Sequence, residues 1–357
     1  MAEHVFVGMS GGVDSSVAAM LLQQAGYRVS GINGRMVCGE TAAAGGACGS
    51  SRETEDAAAV ARALEIPFHT VDLSQPFGDT VIRNFIGEYE RGRTPNPCAV
   101  CNRHVKFGAL LEYVLALGGD RLATGHYAQV RFDGQTGRYQ LLRGADRRKD
   151  QSYFLYALTQ EQLSRVLFPL GGMEKPQIRA LAEEYGLVNA AKRDSQDICF
   201  VPDGNYAAFI ERMAGHAFPA GDFLDESGKV LGRHKGLIRY TVGQHKGLGL
   251  STAEPLYVLE KNAKENTVRL GPDSALWSRT LTAEHMNWIS VPELTEPVRV
   301  TVKTRYSQRE AAAVAEPMPG GRVRLVFDEP QRAITAGQAV VLYDGELVVG
   351  GGIICGL

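Results

Sequence analysis

The first part of the chain alternates short apolar runs with longer amphipathic segments. Four runs have the length and apolar content of buried strands: Val5–Gly8, Arg28–Ile32, Phe68–Leu73 and Arg121–Thr124. The segments between them carry apolar residues at helical spacing: Val13–Ala25, Glu53–Leu64, Phe77–Tyr89 and Val105–Leu117. Repeated strand–helix units predict a parallel, doubly wound sheet of the α/β class. Ligands of such sheets bind beyond the carboxyl ends of the strands.

The pattern changes after about residue 205. A hairpin is predicted before this point, over Tyr127–Leu142, and a helix just after it, over Tyr206–Met213. Five short apolar segments occupy the last part of the chain: Val298–Tyr306, Ala311–Ala315, Arg322–Asp328, Ala339–Tyr343 and Glu346–Ile354. Strands at this spacing predict a small antiparallel β-barrel. We therefore expect a parallel-sheet domain over residues 1–205, a small central α+β or β domain over 206–278, and a barrel over 279–357.

Composition places the chain among ordinary globular proteins. Its 357 residues are 44% hydrophobic and 22% charged, with a formal net charge of −2. No apolar run reaches the roughly 18 residues of a membrane span, and the first residues lack the features of an export signal. We therefore expect a cytoplasmic protein with no membrane partner. Basic residues still cluster in four segments, which indicates either solvated faces or a polyanionic partner: Arg91–Lys106, Arg143–Lys149, Lys192–Arg193 and Arg233–Lys246.

A glycine-rich motif gives the strongest chemical signal. Residues Ser10 to Ser16 read Ser-Gly-Gly-Val-Asp-Ser-Ser, directly after the first apolar run and before the first helix. Glycines allow a tight turn and close approach to a ligand, and serine hydroxyls with free helix-start amides favour a phosphate group. The motif is neither a Walker loop nor a dinucleotide fingerprint. The alternative is an ordinary glycine turn between strand and helix.

Six cysteines in a chain of this length are not a disulfide framework, and in a reducing compartment they indicate metal binding or catalysis. Cys98 and Cys101 lie in Arg93–Asn102, where two prolines predict an extended segment that ends as a helix begins. The positive end of that helix would lower the pKa of the Cys101 thiol. Cys199 follows about a hundred residues later, beside two basic residues.

Seven motifs occur in one order and span essentially the whole chain: Ser-Gly-Gly-Val-Asp-Ser, Gly-Arg-Thr-Pro-Asn-Pro, Ala-Thr-Gly-His-Tyr, Lys-Asp-Gln-Ser-Tyr-Phe-Leu-Tyr, Asp-Ile-Cys-Phe, Gly-Gln-His-Lys-Gly-Leu-Gly and Val-Lys-Thr-Arg-Tyr. With these motifs the chain resembles the tRNA-specific 2-thiouridylases of the MnmA type, a family of the PP-loop ATP pyrophosphatase superfamily. The resemblance implies a Rossmann-like PP-loop domain followed by a central domain and a tRNA-contacting barrel.

The resemblance also implies a reaction. ATP, with Mg²⁺, adenylates the C2 oxygen of the wobble uridine of tRNA and releases pyrophosphate; sulfur then replaces that oxygen and AMP leaves. The partners it implies are the tRNAs for lysine, glutamate and glutamine, and a sulfur donor that is a carrier protein or sulfide. A carbonyl oxygen is a poor leaving group until it is esterified to phosphate, which explains the need for ATP.

Site residues follow from the resemblance by position. The nucleotide site implied consists of Gly8, Met9, Ser10, Gly11, Gly12, Val13, Asp14, Ser15, Met36 and Gly125. The tRNA-contacting positions implied are Asn96, Pro97, Cys98, His126, Lys149, Asp150, Gln151, Arg305, Tyr306 and Gln338. Cys199 matches the cysteine that carries a persulfide, and Cys101 matches the nucleophile that assists sulfur release and forms a disulfide with Cys199. Asp14 is read as a Mg²⁺ ligand, as a helix cap, or as both.

One departure from the family pattern keeps the sulfur route open. Many members have aspartate at the position of Cys98, whereas here Cys98, Cys101 and Cys199 provide three thiols that could hold a [4Fe-4S] cluster with one open iron, as some members are understood to do. The alternatives are a persulfide on Cys199, a zinc site that adds His104, or thiols without a metal. The other cysteines, Cys38, Cys48 and Cys355, are interpreted as bystanders.

Two rival functions remain at this point. Another PP-loop ligase acting on a small substrate would need the loop but not Cys101 and Cys199. A tRNA-binding redox sensor would need the cysteines but would release no pyrophosphate from ATP.

Overall fold

The computed structural model describes residues 2–36, 51–190, 192, 198–201 and 203–356. Cys38 and Cys48, two of the cysteines interpreted as bystanders, lie outside these ranges. Within them, no helix is both long enough and apolar enough to cross a membrane.

The N-terminal domain is built on a parallel sheet, as the strand–helix alternation predicts. Its strands, with the hairpin that the chain inserts among them, are β1 (His4–Gly8), β2 (Arg28–Arg35), β3 (Phe68–Asp72), β4 (Arg121–Ala123), β5 (Ala128–Asp133), β6 (Arg138–Arg143) and β7 (Val166–Leu167). The sheet order is β3-β2-β1-β4-β7, and every pair is parallel. β1 is therefore central, and the Ser10–Ser16 motif leaves the carboxyl edge at the middle of the sheet. β5 and β6 form the predicted antiparallel hairpin.

The α-helices and π-helical turns of the described ranges are Val13–Gln24, Ser51–Ala63, Ser74–Phe77, Gly78–Ile82, Arg83–Glu90, Pro97–Cys101, Asn102–Ala109, Leu110–Ala116, Ser152–Leu155, Gln160–Ser164, Lys175–Glu184 and Tyr206–Ala214. Two long helices each contain a π-helical turn, Gly78–Ile82 in one and Asn102–Ala109 in the other. Short 3₁₀ turns occur at Leu237–Arg239 and Asp273–Leu276. A π-helical turn holds one extra residue and is frequent at functional sites.

The extended segment predicted up to Cys101 is wrong in its second half. A helix already begins at Pro97, and Pro97–Cys101, which we call the cysteine helix, runs without a break into the π-helical turn. Pro97 needs no hydrogen-bond partner for an amide proton at the first helical position, where its fixed φ suits the helix. The Asn96 side chain caps the helix by accepting a hydrogen bond from the Ala99 amide at 3.3 Å. Cys98, not Cys101, therefore lies in the first turn.

The central domain is a small sheet, and the helix Tyr206–Ala214 that precedes it buries its apolar face against the N-terminal domain. Its strands are β8 (Gly221–Leu224), β9 (Val230–His234), β10 (Tyr257–Asn262) and β11 (Thr267–Gly271). The order is β10-β11-β8-β9, with a parallel pair between β11 and β8 and antiparallel pairs at both sides. A separate apolar cluster around Phe223, Val258 and Leu270 fills it.

The C-terminal domain is a closed antiparallel barrel. Its strands are β12 (Trp277–Trp288), β13 (Val298–Lys303), β14 (Ala311–Met318), β15 (Arg322–Arg332), β16 (Ala339–Asp344) and β17 (Leu347–Gly356). The order β12-β15-β14-β13-β16-β17 closes because β12 also pairs with β17. The sequence analysis located five of these strands and missed β12, whose alternation is broken by register shifts on both of its partners.

The barrel is fastened to the N-terminal domain by a buried cation. β6 pairs with β17 at one position only, Leu142 opposite Leu347. Next to it the Arg143 guanidinium lies 3.6 Å from the ring centre of Tyr343 and forms an ion pair with Glu310. Arg143 is 3% exposed. This arginine is therefore a domain link and not part of a basic surface, contrary to the reading of its segment as a polyanion contact.

We predict that Phe200→Ala lowers the stability of the N-terminal domain by about 3–5 kcal/mol. Phe200 is 2% exposed and packs edge-on against Phe77 and Phe85, with Phe209 at 5.2 Å. Urea unfolding followed by circular dichroism measures the change. Phe132→Ala is the control, because Phe132 is 56% exposed and its loss should change stability little. Equal stabilities of the two variants would contradict the prediction.

Candidate active site

The loop between β1 and the first helix has a backbone that only glycine permits at one position. Gly11 has φ +70°, and a Cβ there would lie 2.6 Å from the Glu53 carbonyl oxygen. The following residue, Gly12, is the N-cap of helix Val13–Gln24 and has no side chain to satisfy the first amides. The amides at the start of that helix have no partner within the helix, so they form an anion-binding position at the carboxyl edge of the sheet.

The Ser15 and Ser16 hydroxyls form hydrogen bonds within the loop. The motif predicts, by contrast, that the serine hydroxyls point toward a bound phosphate. The Ser15 hydroxyl donates to the Gly12 carbonyl oxygen at 3.1 Å and accepts from the Ser10 amide at 3.3 Å. The Ser16 hydroxyl also donates to the Gly12 carbonyl oxygen, at 3.0 Å. Ser15 and Ser16 are buried, whereas Ser10 is exposed. The loop is therefore preorganised by its own hydroxyls.

Asp14 forms an ion pair and does not cap the helix. Lys175 donates from Nζ to both carboxylate oxygens of Asp14, at 2.7 and 2.9 Å, and the Tyr127 hydroxyl donates at 2.9 Å. The cap position belongs to Gly12, which makes the capping interpretation of Asp14 wrong. The Asp14 carboxylate is 30% exposed, so an incoming cation can still reach it. Carboxylate oxygen is the donor type that Mg²⁺ prefers, and the Mg²⁺ interpretation of Asp14 fits this chemistry.

Gly125 brings the end of β4 against the loop. A Cβ on Gly125 would lie 2.8 Å from the Asp14 carbonyl carbon and 2.9 Å from the Ser15 amide nitrogen. Any side chain at Gly125 would therefore displace the start of the helix. This observation joins Gly125, which the resemblance places in the nucleotide site, to the Gly8–Ser15 loop.

Lys175, Asn189 and Lys192 also touch the loop, and the sequence analysis did not place them there. Asn189 donates from Nδ2 to the Gly11 carbonyl oxygen at 3.1 Å, and Lys192 Nζ donates to the same oxygen at 3.2 Å. Lys192 also pairs with Asp56 at 2.8 Å. A signal for Lys175 was available, because it begins a helix, where the macrodipole disfavours a cation. Such a local conflict indicates a charged partner nearby.

The cysteine helix lies over the carboxyl end of β2. Met36 follows β2 directly and is 5% exposed, and the Cys101 Sγ atom lies 3.9 Å from its Sδ atom. The resemblance implies that Met36 contacts adenosine and that Cys101 is the nucleophile that assists sulfur release. The fold therefore brings one thiol to the edge of the sheet where the glycine loop lies. Cys101 is 7% exposed, and Cys98 is exposed.

Cys199 packs against the same apolar cluster as Cys101 and Met36. Its neighbour Phe200 anchors it in the ring cluster described above, and a turn from Val201 to Ile198 at 2.8 Å shapes the backbone. No disulfide joins Cys98, Cys101, Cys199 or Cys355 to one another.

No metal-ligand group is present among the residues that the structure describes. None of their Cys, His, Asp and Glu side chains comes together in a set of three or more that could hold a metal ion. Cys98, Cys101 and Cys199 are all described, and neither these thiols nor His104 belong to such a set. The iron–sulfur and zinc hypotheses receive no support from this arrangement.

Three residues that the resemblance places against tRNA have internal partners. Asp150 is 3% exposed and accepts from the amides of Gly144 and Ser152, at 3.0 and 3.1 Å. Gln151 accepts from the Tyr127 amide at 3.0 Å. His126 bonds to the Thr124 hydroxyl at 2.7 Å and stands between two phenylalanine rings. Asp150 and Gln151 thus hold the segment in shape.

The C-terminal positions from the same set lie at domain boundaries. The Arg305 guanidinium donates to the carbonyl oxygens of Val242 and Ala333, at 3.1 and 2.8 Å, and so connects the central domain to the barrel. Tyr306 is 36% exposed, and its ring centre lies 4.5 Å from that of Phe154. Gln338 donates to the segment before the cysteine helix. The ring of Tyr306 is exposed enough to stack on a base. Lys149, from the earlier part of the set, is half-buried.

A cavity of about 550 Å³ separates the cysteine helix from the barrel. Its wall includes Ala99, Val100 and His104 from the helix side and Met286 from the barrel, but neither Cys98 nor Cys101. The cavity therefore includes neither thiol of the cysteine helix in its wall.

Comparison with known proteins gives one consistent answer for the whole chain. Three family models match in order: a tRNA methyl transferase HUP domain over residues 3–203, a tRNA methyl transferase PRC-barrel domain over 207–272 and an aminomethyltransferase beta-barrel domain over 278–354. The tRNA-specific 2-thiouridylase MnmA of Acetivibrio thermocellus is 49% identical over 355 residues, which cover 99% of each chain. The chain belongs to the tRNA-specific 2-thiouridylase (MnmA) family.

A second relative supports the same assignment. The MnmA of Heliobacterium modesticaldum is 50% identical over 358 residues, covering 99% of this chain and 93% of that relative. Among solved structures, a 4-thiouridine synthetase in complex with RNA and bound ATP is 17% identical, covers 60% of this chain and 50% of that one, and has a TM-score of 0.33. The fold expected from the sequence, a parallel-sheet PP-loop domain, a central domain and an antiparallel barrel, is confirmed for this MnmA-family chain.

We predict that His126 weakens the folded state as the pH falls. Burial and the nearby Lys106 lower the pKa of His126 well below 6.5, so the unfolded chain binds a proton that the folded chain does not. Stability should therefore decrease as the pH falls from about 7.5 to about 5.5. His126→Gln should reduce this decrease, measured as the melting temperature against pH. His216→Gln, at an exposed position, is the control; an unchanged pH dependence in His126→Gln would refute the assignment.

Proposed function

We propose that this MnmA-family protein thiolates the wobble uridine of tRNA at C2, with consumption of ATP. One observation carries the proposal: the Cys101 thiol lies 3.9 Å from Met36, at the same sheet edge as the preorganised glycine loop. A phosphate-binding loop alone would suit many ATP-dependent ligases. A thiol at the edge of that nucleotide position suits a reaction in which an activated carbonyl meets sulfur.

ATP binding is the first part of the proposal. The loop amides receive the phosphates, and Gly125 allows the end of β4 to lie directly against the backbone of that loop. Asp14 would hold Mg²⁺, which supplies charge neutralisation for the leaving pyrophosphate when it is bound. Lys175 and Lys192 stand within reach of the loop and are paired with Asp14 and Asp56 without nucleotide. Their positive charges stabilise phosphate charge as it develops.

Two bond exchanges then account for the product. The uridine C2 oxygen attacks the α-phosphorus of ATP; the bond to pyrophosphate breaks and the N3 proton is lost. The terminal sulfur of a persulfide on Cys199 attacks C2, and AMP leaves with the electron pair of the C2–O bond. The Cys101 thiolate attacks the Cys199 sulfur, and the electron pair of the persulfide bond moves to the sulfur on C2, while N3 regains a proton. The resulting Cys101–Cys199 disulfide is reduced by an external dithiol.

The proposed sulfur route uses a persulfide on Cys199, because the described thiols do not come together in a group of three that would hold a cluster. The outer sulfur on Cys199 is received from a persulfide on a sulfur carrier protein, or the persulfide forms when sulfide attacks Cys199 in the Cys101–Cys199 disulfide and the Cys101 thiolate leaves. The proposed substrates are the tRNAs for lysine, glutamate and glutamine, and the cytoplasmic location stays a prediction. Tyr306 and Lys149 are proposed to contact tRNA, because both side chains are partly exposed to solvent. In this proposal Asn96, Pro97 and Cys98 face the target base.

Two of the matching family models are named after tRNA methyl transferases, whereas the matching relatives are named tRNA-specific 2-thiouridylases. The names therefore point to two different reactions. The glycine loop and the Cys101–Met36 contact favour the second reaction, because methyl transfer needs neither a pyrophosphate position nor a thiol beside it. Analysis of the modified nucleoside by mass separates the two, since sulfur for oxygen and an added methyl group give different masses.

We predict that Gly125→Ala weakens ATP binding on the order of tenfold or more, because the new methyl group would lie 2.8 Å from the Asp14 backbone and shift the helix start. Isothermal titration calorimetry with ATP and Mg²⁺ measures the dissociation constant. Gly172→Ala is the matched control, since a Cβ there meets no atom within 4 Å. ATP binding of parental strength in Gly125→Ala would place the nucleotide elsewhere.

We predict that Cys101→Ser and Cys199→Ser each abolish thiolation but leave pyrophosphate release in a single turnover, because adenylation precedes sulfur transfer. The assay uses unmodified tRNA, ATP, Mg²⁺ and a sulfide source, with thiolated nucleoside quantified by mass. Cys355→Ser is the control, since Cys355 donates to the Thr282 carbonyl oxygen on the barrel, at 3.4 Å. A parent that forms no thiolated nucleoside, with a double variant that still releases pyrophosphate from ATP, would favour a small-substrate ligase, and absence of pyrophosphate release by the parent would favour a redox sensor.

A further inference from the structure

The barrel grips the segment that leads into the cysteine helix. The loop between β15 and β16, residues 333–338, lies against Arg93, Thr94 and Pro95. The Thr94 amide donates to the Ala336 carbonyl oxygen at 2.9 Å. The Gln338 amide group donates from Nε2 to the carbonyl oxygens of Thr94 and Pro95, at 2.8 and 3.2 Å. Two consecutive carbonyls of the N-terminal domain are thus held by one side chain of the C-terminal domain.

The approach of the two backbones is close enough to exclude a side chain. Gly337 has φ +90°, and a Cβ there would lie 2.9 Å from both the Thr94 amide nitrogen and the Arg93 Cβ atom. Arg93 adds an ion pair with Glu88 at 2.5 Å and one with Glu284 of β12 at 3.5 Å. The segment is therefore held to the barrel by a backbone hydrogen bond, by the Gln338 side chain and by the ion pair between Arg93 and Glu284.

The backbone between Thr94 and Cys101 is stiff, so the position of Thr94 and Pro95 determines the position of the cysteine helix. Pro95 and Pro97 have fixed φ angles and flank Asn96, which caps the cysteine helix. Three residues separate Pro97 from Cys101, all within one helical turn. A stiff connection of this kind leaves few torsions that could absorb a shift of Thr94 and Pro95. The carbonyl oxygens that Gln338 holds therefore determine where the Cys101 thiol lies relative to Met36.

We infer that Gln338 is a positioning residue for the cysteine helix, through which the barrel sets the sulfur-transfer geometry. Both hydrogens of its amide are engaged with Thr94 and Pro95. Donation to RNA would therefore require release of the segment, so a hydrogen bond donated by Gln338 to tRNA would move the thiol-bearing helix. The effect on catalysis rests on the proposed function, whereas the effect on Cys101 does not.

The test compares Gln338→Met with Asn287→Leu in the full-length protein. Methionine keeps the length of glutamine and removes both donors. Asn287 is a matched control from the same barrel, because its amide also donates to two carbonyls of the N-terminal domain, those of Tyr156 and Leu158, at 2.7 and 2.9 Å. Alkylation of each cysteine by iodoacetamide is followed by peptide mass mapping, with Cys355 as the internal reference. Steady-state kcat and KM for tRNA are measured in parallel.

The expected result is faster alkylation of Cys101 in Gln338→Met, by about threefold or more, with Cys355 unchanged and Asn287→Leu like the parent. We expect kcat to fall on the order of 10-fold to 100-fold with KM for tRNA nearly constant, because a misplaced thiol slows the chemical step. Unchanged alkylation of Cys101 would overturn the inference. So would a rise in KM alone, which would make Gln338 a simple tRNA contact.

The two hypotheses fail in different ways. A parent protein that does not thiolate tRNA would refute the proposed function, and the comparison of Cys101 alkylation would still decide the positioning role. Equal acceleration of Cys101 alkylation in Asn287→Leu would show general loosening of the domain boundary and would also overturn the inference.

Discussion

The contact between Cys101 and Met36 is the constraint on which the rest of the site depends. It sets the cysteine helix across the carboxyl edge of a parallel sheet, where the glycine loop already presents unpaired helix-start amides. Both partners are nearly fully buried, so the contact is maintained by packing and not by a flexible surface pair. A thiol and a phosphate-binding loop thereby share one edge, although they are distant in the sequence.

Side-chain amides that donate to backbone carbonyls help to join the barrel to the N-terminal domain. Gln338 and Asn287 do so from the barrel. A buried carbonyl left without a donor costs free energy, so these amides act as specific fasteners that tolerate little displacement. The buried Arg143 adds a charged fastener with an aromatic partner. Such boundaries favour one relative placement of the domains.

Much of the fold could be predicted from the sequence, because it follows local periodicity. The helix Val13–Gln24, the hairpin and the barrel strands after β12 have regular patterns bounded by turn residues. The start of the cysteine helix was missed because two prolines suggested extended backbone, while the first helical position accepts proline. β12 was missed because its register shifts break the alternation.

The loop of the site was recognisable because a phosphate position needs glycine at fixed spacing. The pairing of Asp14 with Lys175 was not, since it joins residues far apart in the chain through tertiary packing. For the same reason the sequence could not show that Gln338 holds Thr94 and Pro95, or that Arg143 is buried. Charge and amide residues have no period in the sequence, and their partners are decided only when the domains meet.

The unbroken course of the helix from Pro97 to Ala116 has a mechanical consequence. Its twenty residues give an element about 30 Å long at the α-helical rise of 1.5 Å per residue, and somewhat less over the π-helical turn, with the thiols at one end and the β4 side of the sheet at the other. A tilt of about five degrees would displace one end by roughly 2–3 Å relative to the other. Backbone hydrogen bonding is irregular in the π-helical turn near the middle of this helix. Bending of the helix is therefore expected at that turn.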